Sequence, residues 1–144
     1  MTSAFNKFQD FSDQLARGNQ SFGSHVFKVA LTNTAPVSTQ LVFDSAVNAP
    51  APAAASGYAA GVTTISISVS AGTTTVLGTQ VVFTATGGQI GPFRYAILYN
   101  DTVTSPAKPP VGWFDYGASI TLNDTETLTV QFGGATPGSI FTLV

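Results

Sequence analysis

The residues that could do acid–base or metal chemistry are few in this chain of 144 residues. Cysteine is absent and His25 is the one histidine, so neither a thiol centre nor a histidine-based metal site is expected. Asp124 and Glu126 are close enough in sequence to suggest a calcium loop, but the other oxygen ligands of such a loop are missing. Turn chemistry explains these two acids better, and no metal is expected. The other acids are Asp10, Asp13, Asp44, Asp101 and Asp115.

Motifs of the common catalytic classes are also missing from the sequence. No serine lies in a Gly-x-Ser-x-Gly elbow, and a single histidine allows at most one triad. No glycine-rich loop leads into a helix, so a phosphate cradle is not expected. His25 directly precedes a predicted strand, where a solvated or capping role fits it better than a ligand role. We therefore expect a protein that is not an enzyme and that needs no cofactor.

Aromatic side chains offer a different chemistry, because exposed rings on a sheet face can stack on sugars. Their neighbours along the same strands are apolar, and this favours packing in the core. Clustered exposure of the rings would instead favour a lectin-like module. The rings in question are Tyr95, Tyr99, Trp113 and Tyr116.

A hairpin of two predicted strands, 91–100 and 112–117, must position these rings. The segment NDTVTSPAKPP between them is rich in proline and polar residues, which is typical of a loop. Pairing across that loop brings Arg94 close to Asp115, and this predicts a cross-strand ion pair. The alternative is a charged contact with a partner. Alternation predicts one strand face with Phe93, Tyr95, Ile97 and Tyr99, and an opposite face with Arg94, Ala96 and Leu98.

The first eighteen residues predict an N-terminal amphipathic helix over 4–17. Thr2 or Ser3 could cap its start, and Gly18 is well placed as a left-handed stop. The helix either packs on the domain's own sheet or docks on a neighbouring subunit. Its apolar stripe is Ala4, Phe5, Phe8, Phe11 and Leu15.

Residues 19–144 predict an antiparallel β-sandwich or jelly-roll-like domain, because about nine or ten short alternating runs follow one another with turn signals between them. The whole chain is then one mainly β domain with a single N-terminal helix. Thr63, Ile65, Ile67 and Val69 are expected to face inward, as are Val81, Phe83 and Ala85. Further strands are expected at 26–32, 39–44, 73–77, 119–122, 127–132 and 139–143.

The segment 46–61 is rich in alanine and carries Pro50 and Pro52, without charge or periodicity. Loops of this length are uncommon in compact domains and often have a function. We expect either an arm that packs along a neighbouring subunit or a mobile surface loop.

Charge is sparse and limits the classes of partner. Charged residues make up 8% of the chain and the net charge is −2, whereas soluble domains usually contain about 25%. The five basic residues are scattered, so no nucleic acid partner is expected. No segment predicts a membrane span or a signal peptide, so synthesis in a cytoplasm is expected. A weakly charged surface is poorly protected against association, which favours a subunit of a larger assembly.

Four segments give the chain a family resemblance: SAFNKFQDFSDQLARG, FKVALTNTAP, GGQIGPFRYAILYND, and GWFDYGASITLNDTETLTVQF followed by SIFTLV. In their order and spacing, across nearly all residues, the chain resembles small virion proteins encoded among the head and tail genes of tailed bacteriophages. It departs from them mainly in 46–61.

The resemblance implies a virion structural protein assembled in the host cytoplasm. It implies in particular a decoration (cement) subunit on the capsid surface that binds and stabilises the shell of major capsid protein. Other virion proteins are further partners, and the subunit is expected to be a homo-oligomer, with a trimer as one arrangement. The alternatives are a tail or fibre component and a receptor-facing, sugar-binding module. Candidate interface residues are Phe5, Phe8, Phe11, Leu15, Pro50 and Pro52.

Overall fold

Alternating apolar and polar residues give the chain a mainly β structure. The computed structural model describes residues 4–43 and 58–144. The elements are β1 Phe5–Lys7, α1 Phe11–Ala16, β2 Phe27–Thr32, β3 Gly61–Thr63, β4 Ile65–Ser70, β5 Thr73–Gly78, β6 Val81–Thr84, β7 Ile90–Asn100, β8 Pro110–Leu122, β9 Thr127–Val130 and β10 Gly138–Leu143.

Antiparallel pairing joins these strands into three sheets. The five-stranded sheet has the order β1-β8-β7-β2-β3, the three-stranded sheet β10-β5-β4 and the two-stranded sheet β6-β9. The main core cluster takes residues from all three sheets, among them Phe27, Val76, Phe83, Phe93 and Ile140. A smaller cluster on the other side of the five-stranded sheet contains Phe8, Ala30, Phe43, Ile97 and Tyr99.

The predicted helix over 4–17 is wrong for its first half. Residues 5–7 form β1, with Phe5 opposite Phe114 of β8, and α1 begins only at Phe11. Phe8 and Phe11 of the apolar stripe are buried and Phe5 and Leu15 are partly buried, whereas Ala4 is exposed. Gly18 takes a φ of 81°, so the predicted left-handed stop is confirmed. Thr2 and Ser3, the predicted caps, lie outside the described residues, and α1 begins at Phe11.

The β7–β8 hairpin is confirmed, with Tyr95 opposite Asp115 and Ile97 opposite Trp113. The register shifts between Phe93 and Tyr95. Phe93 therefore joins Ala96 and Leu98 in the main core, whereas Ile97 and Tyr99 belong to the smaller cluster. The prediction that Phe93 shares a face with Ile97 and Tyr99 is wrong, because a bulge reverses the alternation of the residues beyond it.

The strand predicted at 26–32 is confirmed as β2, but the strand predicted at 39–44 is absent over its described residues, 39–43. The backbone N–H of Phe43 donates instead to the Lys108 carbonyl at 2.9 Å, and its ring stacks on Tyr99 with centroids 4.2 Å apart. Phe43 therefore holds this segment to the fold by one backbone hydrogen bond and ring stacking, without strand pairing.

Strands form where the inward faces and the strand at 73–77 are predicted, as β4, β5 and β6. β4 and β5 are joined by Ala71 and Gly72, which both have positive φ, as a two-residue hairpin turn of the primed type requires. Val81, Phe83 and Ala85 are buried as predicted. Among the residues predicted to face inward on β4, however, Ile67 and Val69 are exposed.

Candidate protein-interaction site

Turn chemistry accounts for the acids that could have suggested a metal site. The Asp124 carboxylate accepts a hydrogen bond from the Gly87 N–H at 2.8 Å, and Glu126 accepts one from the Asn123 N–H at 2.6 Å. Across 4–43 and 58–144, no group of three or more histidine, aspartate or glutamate side chains is arranged to hold a metal ion. Both acids of this turn therefore accept hydrogen bonds from backbone N–H groups.

His25 takes part in a polar network that joins two loops. Asn100, which is fully buried, places its amide nitrogen 3.0 Å from Gln20 Oε1 and 2.9 Å from His25 Nδ1. The Ser21 N–H also points at His25 Nδ1, at 3.3 Å, so this ring nitrogen is an acceptor. Asn100 Oδ1 accepts from the Thr102 N–H at 2.9 Å. The sequence predicts a solvated or capping role for His25 and does not reveal this network, because its members are far apart in sequence.

The ion pair predicted between Arg94 and Asp115 is present. Arg94 Nε lies 2.8 Å from Asp115 Oδ1, and Nη2 lies 3.1 Å from Oδ2. The Arg94 guanidinium, and then the Gly117 N–H, hold the pKa of the Asp115 carboxyl below its ordinary value. The same hydrogen bond raises the pKa of Arg94, whose guanidinium carbon lies 5.4 Å from the centre of the Tyr95 ring.

Two of the four candidate sugar-stacking rings are committed to packing. Tyr99 is buried against Phe43, and Trp113 lies 4.6 Å from Phe8, centroid to centroid. Tyr95 and Tyr116 instead line an open groove of about 570 Å³ between β7–β8 and β9. This volume falls in the range of ligand pockets, roughly 300–1,000 Å³. Further lining residues are Phe5, Phe114, Ile120, Leu128, Gln131 and Phe132.

The helix residues nominated for docking are used inside the protein. Phe8 is 1% exposed and Phe11 is 5% exposed, so a partner cannot reach either ring without displacing it. Phe11 packs edge-on against Phe141 at 5.3 Å. Phe5 and Leu15 are partly buried against the main core. Of the two alternatives for this stripe, packing on the domain's own sheets is the one observed.

The other nominated residues, Pro50 and Pro52, lie outside the described residues. The Ala/Pro-rich segment 46–61 is described only from residue 58 onward. There Tyr58 accepts a hydrogen bond from the Leu31 N–H at 2.9 Å, so its hydroxyl is tied to the centre of β2. Burial raises the pKa of Tyr58.

The strongest candidate for a contact surface is one face of the three-stranded sheet. Pairing puts Ile67 opposite Val76 and Phe141 opposite the same Val76, and all three side chains therefore share a face. Val76, on the central strand between them, is buried in the core. One step further along the sheet, Val69 and Leu143 both lie opposite Thr74. The apolar face thus begins over the core and continues past its edge.

We call the exposed end of this face the apolar tip and define it as Ile67, Val69 and Leu143. Their exposed fractions are 48%, 69% and 44%. None of the residues in β4, β5 and β10 is charged, so no charge crosses this sheet. An exposed apolar patch on a regular sheet, with no charge to solvate it, is typical of an interaction surface. The sequence did not reveal the apolar tip, because alternation predicts which residues share a face but not how much of that face other elements cover.

Comparison with known proteins gave no relationship. The chain matches no family model, none of the curated proteins and none of the solved structures. Within the described ranges, no helix is long and apolar enough to cross a membrane.

Proposed function

We propose that this protein is a non-enzymatic structural protein of a phage virion, and specifically a capsid decoration subunit. In this proposal it sits on the capsid surface and binds the shell formed by the major capsid protein. Its sheets are arranged as a β-sandwich or a jelly roll. A decoration subunit stabilises a shell because it binds the assembled lattice better than the free coat subunits.

The observation that carries the proposal is the apolar tip. Ile67 and Val69 lie on β4 and Leu143 on β10, so a regular ladder across β5 holds them in fixed relative positions. A preordered surface loses little conformational entropy on binding, which favours binding to many equivalent sites. The tip is apolar and uncharged, as the centres of protein interfaces tend to be. The family resemblance of the sequence supplies the identity of the partner.

Charge gives secondary support. Charged residues are few, and seven of those described are engaged in the pairs Arg17–Asp13, Lys28–Asp101, Lys108–Asp101 and Arg94–Asp115. A surface that repels its neighbours weakly is suited to dense packing on a lattice. Such a weakly charged surface would not suit a protein that must remain monomeric at high concentration.

A rebinding experiment tests the proposal. Particles lacking the protein are mixed with the purified wild type, with Leu143→Asp or with Val62→Asp, and the bound fraction is measured after sedimentation. Val62 is a matched control, because it is 55% exposed and lies on β3, an edge strand of the five-stranded sheet. Leu143→Asp should weaken binding about 10-fold or more, since it buries a charge at an interface anchor. Val62→Asp should bind like the wild type.

Either of two results would contradict the proposal. Equal binding by Leu143→Asp and the wild type would remove the apolar tip as the contact surface. A few copies per purified particle, counted by quantitative mass spectrometry against the major capsid protein, would favour a tail or fibre component instead.

The groove beside Tyr95 and Tyr116 supports a second candidate, a receptor-facing module that binds sugar. Its partly exposed rings and the polar Gln131 are the kinds of group that stack on and hydrogen-bond to a saccharide. A glycan array tests it, with Tyr116→Ala as the variant. Binding that this substitution abolishes would favour the sugar-binding module over decoration.

A further inference from the structure

β4 forms one edge of the three-stranded sheet, and in the described part of the chain it pairs only with β5. The pairing runs from Ile65 to Ser70 without a register shift. An edge strand carries a row of backbone N–H and C=O groups that another strand can use.

Other strand edges of the protein are shortened or distorted, and β4 is not. β1 and β3, at the edges of the five-stranded sheet, are three residues long each. β6 and β9 have four residues each. β10 follows Pro137, and its register shifts between Ser139 and Phe141. β4 has six residues, ISISVS, and lacks the lysine, proline or bulge that normally protects an edge.

The sequence of β4 is self-complementary in one antiparallel register. A two-fold axis normal to the sheet keeps each face on its own side, so it must lie between the strands, midway between the two copies of one residue. With the axis between the two Ile67 residues, Ile67 lies opposite Ile67 of the second copy, and Ile65 lies opposite Val69 of the second copy. Ser66 then lies opposite Ser68. Apolar residues therefore meet apolar residues, and no like charges face each other.

We propose that β4 pairs with β4 of a second copy, so that two three-stranded sheets join into one six-stranded sheet. This is a closed two-fold dimer, because each chain contributes its single β4 edge and leaves no other copy of it free. The inference does not rest on the proposed function, since dimerisation is measurable without particles. In the dimer, the exposed side chains of Ile67 and Val69 from both copies lie on one face of the joined sheet.

The register makes a charge-swap experiment decisive. Ile67→Lys and Ile67→Asp place like charges directly opposite each other in a self-dimer, which disfavours pairing. Each variant alone should self-associate at least about 10-fold more weakly than the wild type. An equimolar mixture of the two should recover association, because lysine then faces aspartate. Ile67 is exposed, so both variants are expected to fold, and circular dichroism checks this.

Sedimentation equilibrium measures the result, with Val62→Lys on the three-residue edge β3 as the matched control. The expected outcome is a wild-type dimer, an unchanged Val62→Lys dimer, two weakened single variants and a rescued mixture. A wild type that stays monomeric at about 100 µM, corresponding to a Kd weaker than that concentration, would overturn the proposal. So would a trimer, or a mixture that fails to associate, because neither is compatible with this two-fold register. Leu143→Asp, on the opposite edge strand, should leave the dimer intact, which separates this test from the particle-binding test.

Discussion

Arg94 and Asp115 are joined by two hydrogen bonds across the β7–β8 hairpin, with 2.8 Å from Nε to Oδ1 and 3.1 Å from Nη2 to Oδ2. Asp115 Oδ1 also accepts the Gly117 N–H at 2.8 Å. The Asp115 carboxylate thus binds both Arg94 on the facing strand and the backbone of Gly117 two residues further along β8. Tyr95 and Tyr116, which flank this pair in sequence, line the groove.

The Asp115 carboxyl should make stability fall in acid. Its pKa is lowered in the folded state by the Arg94 hydrogen bonds and the Gly117 N–H. A lowered folded pKa gives stability that is present above the unfolded value, about 3.9, and that is lost as pH falls through the folded value. Urea unfolding at pH 7 and pH 3 should therefore show a smaller acid loss for Asp115→Asn than for the wild type. Equal losses would mean that the pair contributes no pH dependence.

Replacing Asn100 should destabilise the two loops that its side chain joins. Asn100→Ala leaves Gln20 Oε1 and the Thr102 N–H without their buried partner. The expected loss in the free energy of unfolding is about 2 kcal/mol, the usual cost of such unmet groups. Asn33→Ala is the control, since Asn33 is exposed. Chemical denaturation checks both variants, and a loss as small as that of the control would exclude a structural role for the network.

Tyr99 and Tyr58 should make stability fall at high pH. Burial, and then the Asp101 carboxylate, raise the pKa of Tyr99, and burial raises that of Tyr58. A raised folded pKa gives stability that is present below the unfolded value, about 10, and that is lost as pH rises towards the folded value. Urea unfolding at pH 8 and pH 11 should show a smaller alkaline loss in Tyr99→Phe than in the wild type.

The two tyrosines should differ at pH 8, which provides an internal control. Tyr58 accepts the Leu31 N–H, and its replacement by phenylalanine should cost about 1 kcal/mol. Tyr99→Phe keeps the ring that stacks on Phe43, so this variant should lose less stability at pH 8 than Tyr58→Phe. The reverse order of the two variants would contradict this account.

Truncating Phe8 should unfold the protein rather than weaken a docking contact. Its ring is buried against Trp113 in the smaller core cluster. Phe8→Ala should cost about 3–5 kcal/mol, as expected when a large buried ring leaves a cavity. Leu41→Ala, at an exposed position, should change stability by less than about 0.5 kcal/mol. Thermal unfolding followed by circular dichroism distinguishes them.

Deleting residues 1–18 is, for the same reason, a poor test of docking. The sequence alone suggests that such a deletion weakens particle binding. The fold shows that it also removes Phe8 and Phe11 from two core clusters and β1 from the five-stranded sheet. A loss of binding would then follow from a loss of folding, so substitutions at the exposed apolar tip are the sharper experiment.

Local chemistry determined several features that the sequence predicts correctly. Proline and polar residues between two aromatic strands predict the β7–β8 hairpin, and pairing then brings Arg94 to Asp115. The left-handed Gly18 follows from the backbone freedom of glycine. These predictions hold because each depends on residues that are adjacent in sequence or paired across one hairpin.

Only the tertiary structure decided which predicted faces are covered. The stripe containing Phe8 and Phe11 fits a helix, but β8 offers a backbone partner to residues 5–7 and the helix shortens. The bulge before Tyr95 turns Phe93 into the main core. The alternation in β4 predicts a buried face, yet the core ends near Val76 and leaves Ile67 and Val69 exposed. Periodicity records which residues share a face, whereas burial depends on the neighbours that long-range pairing brings to it.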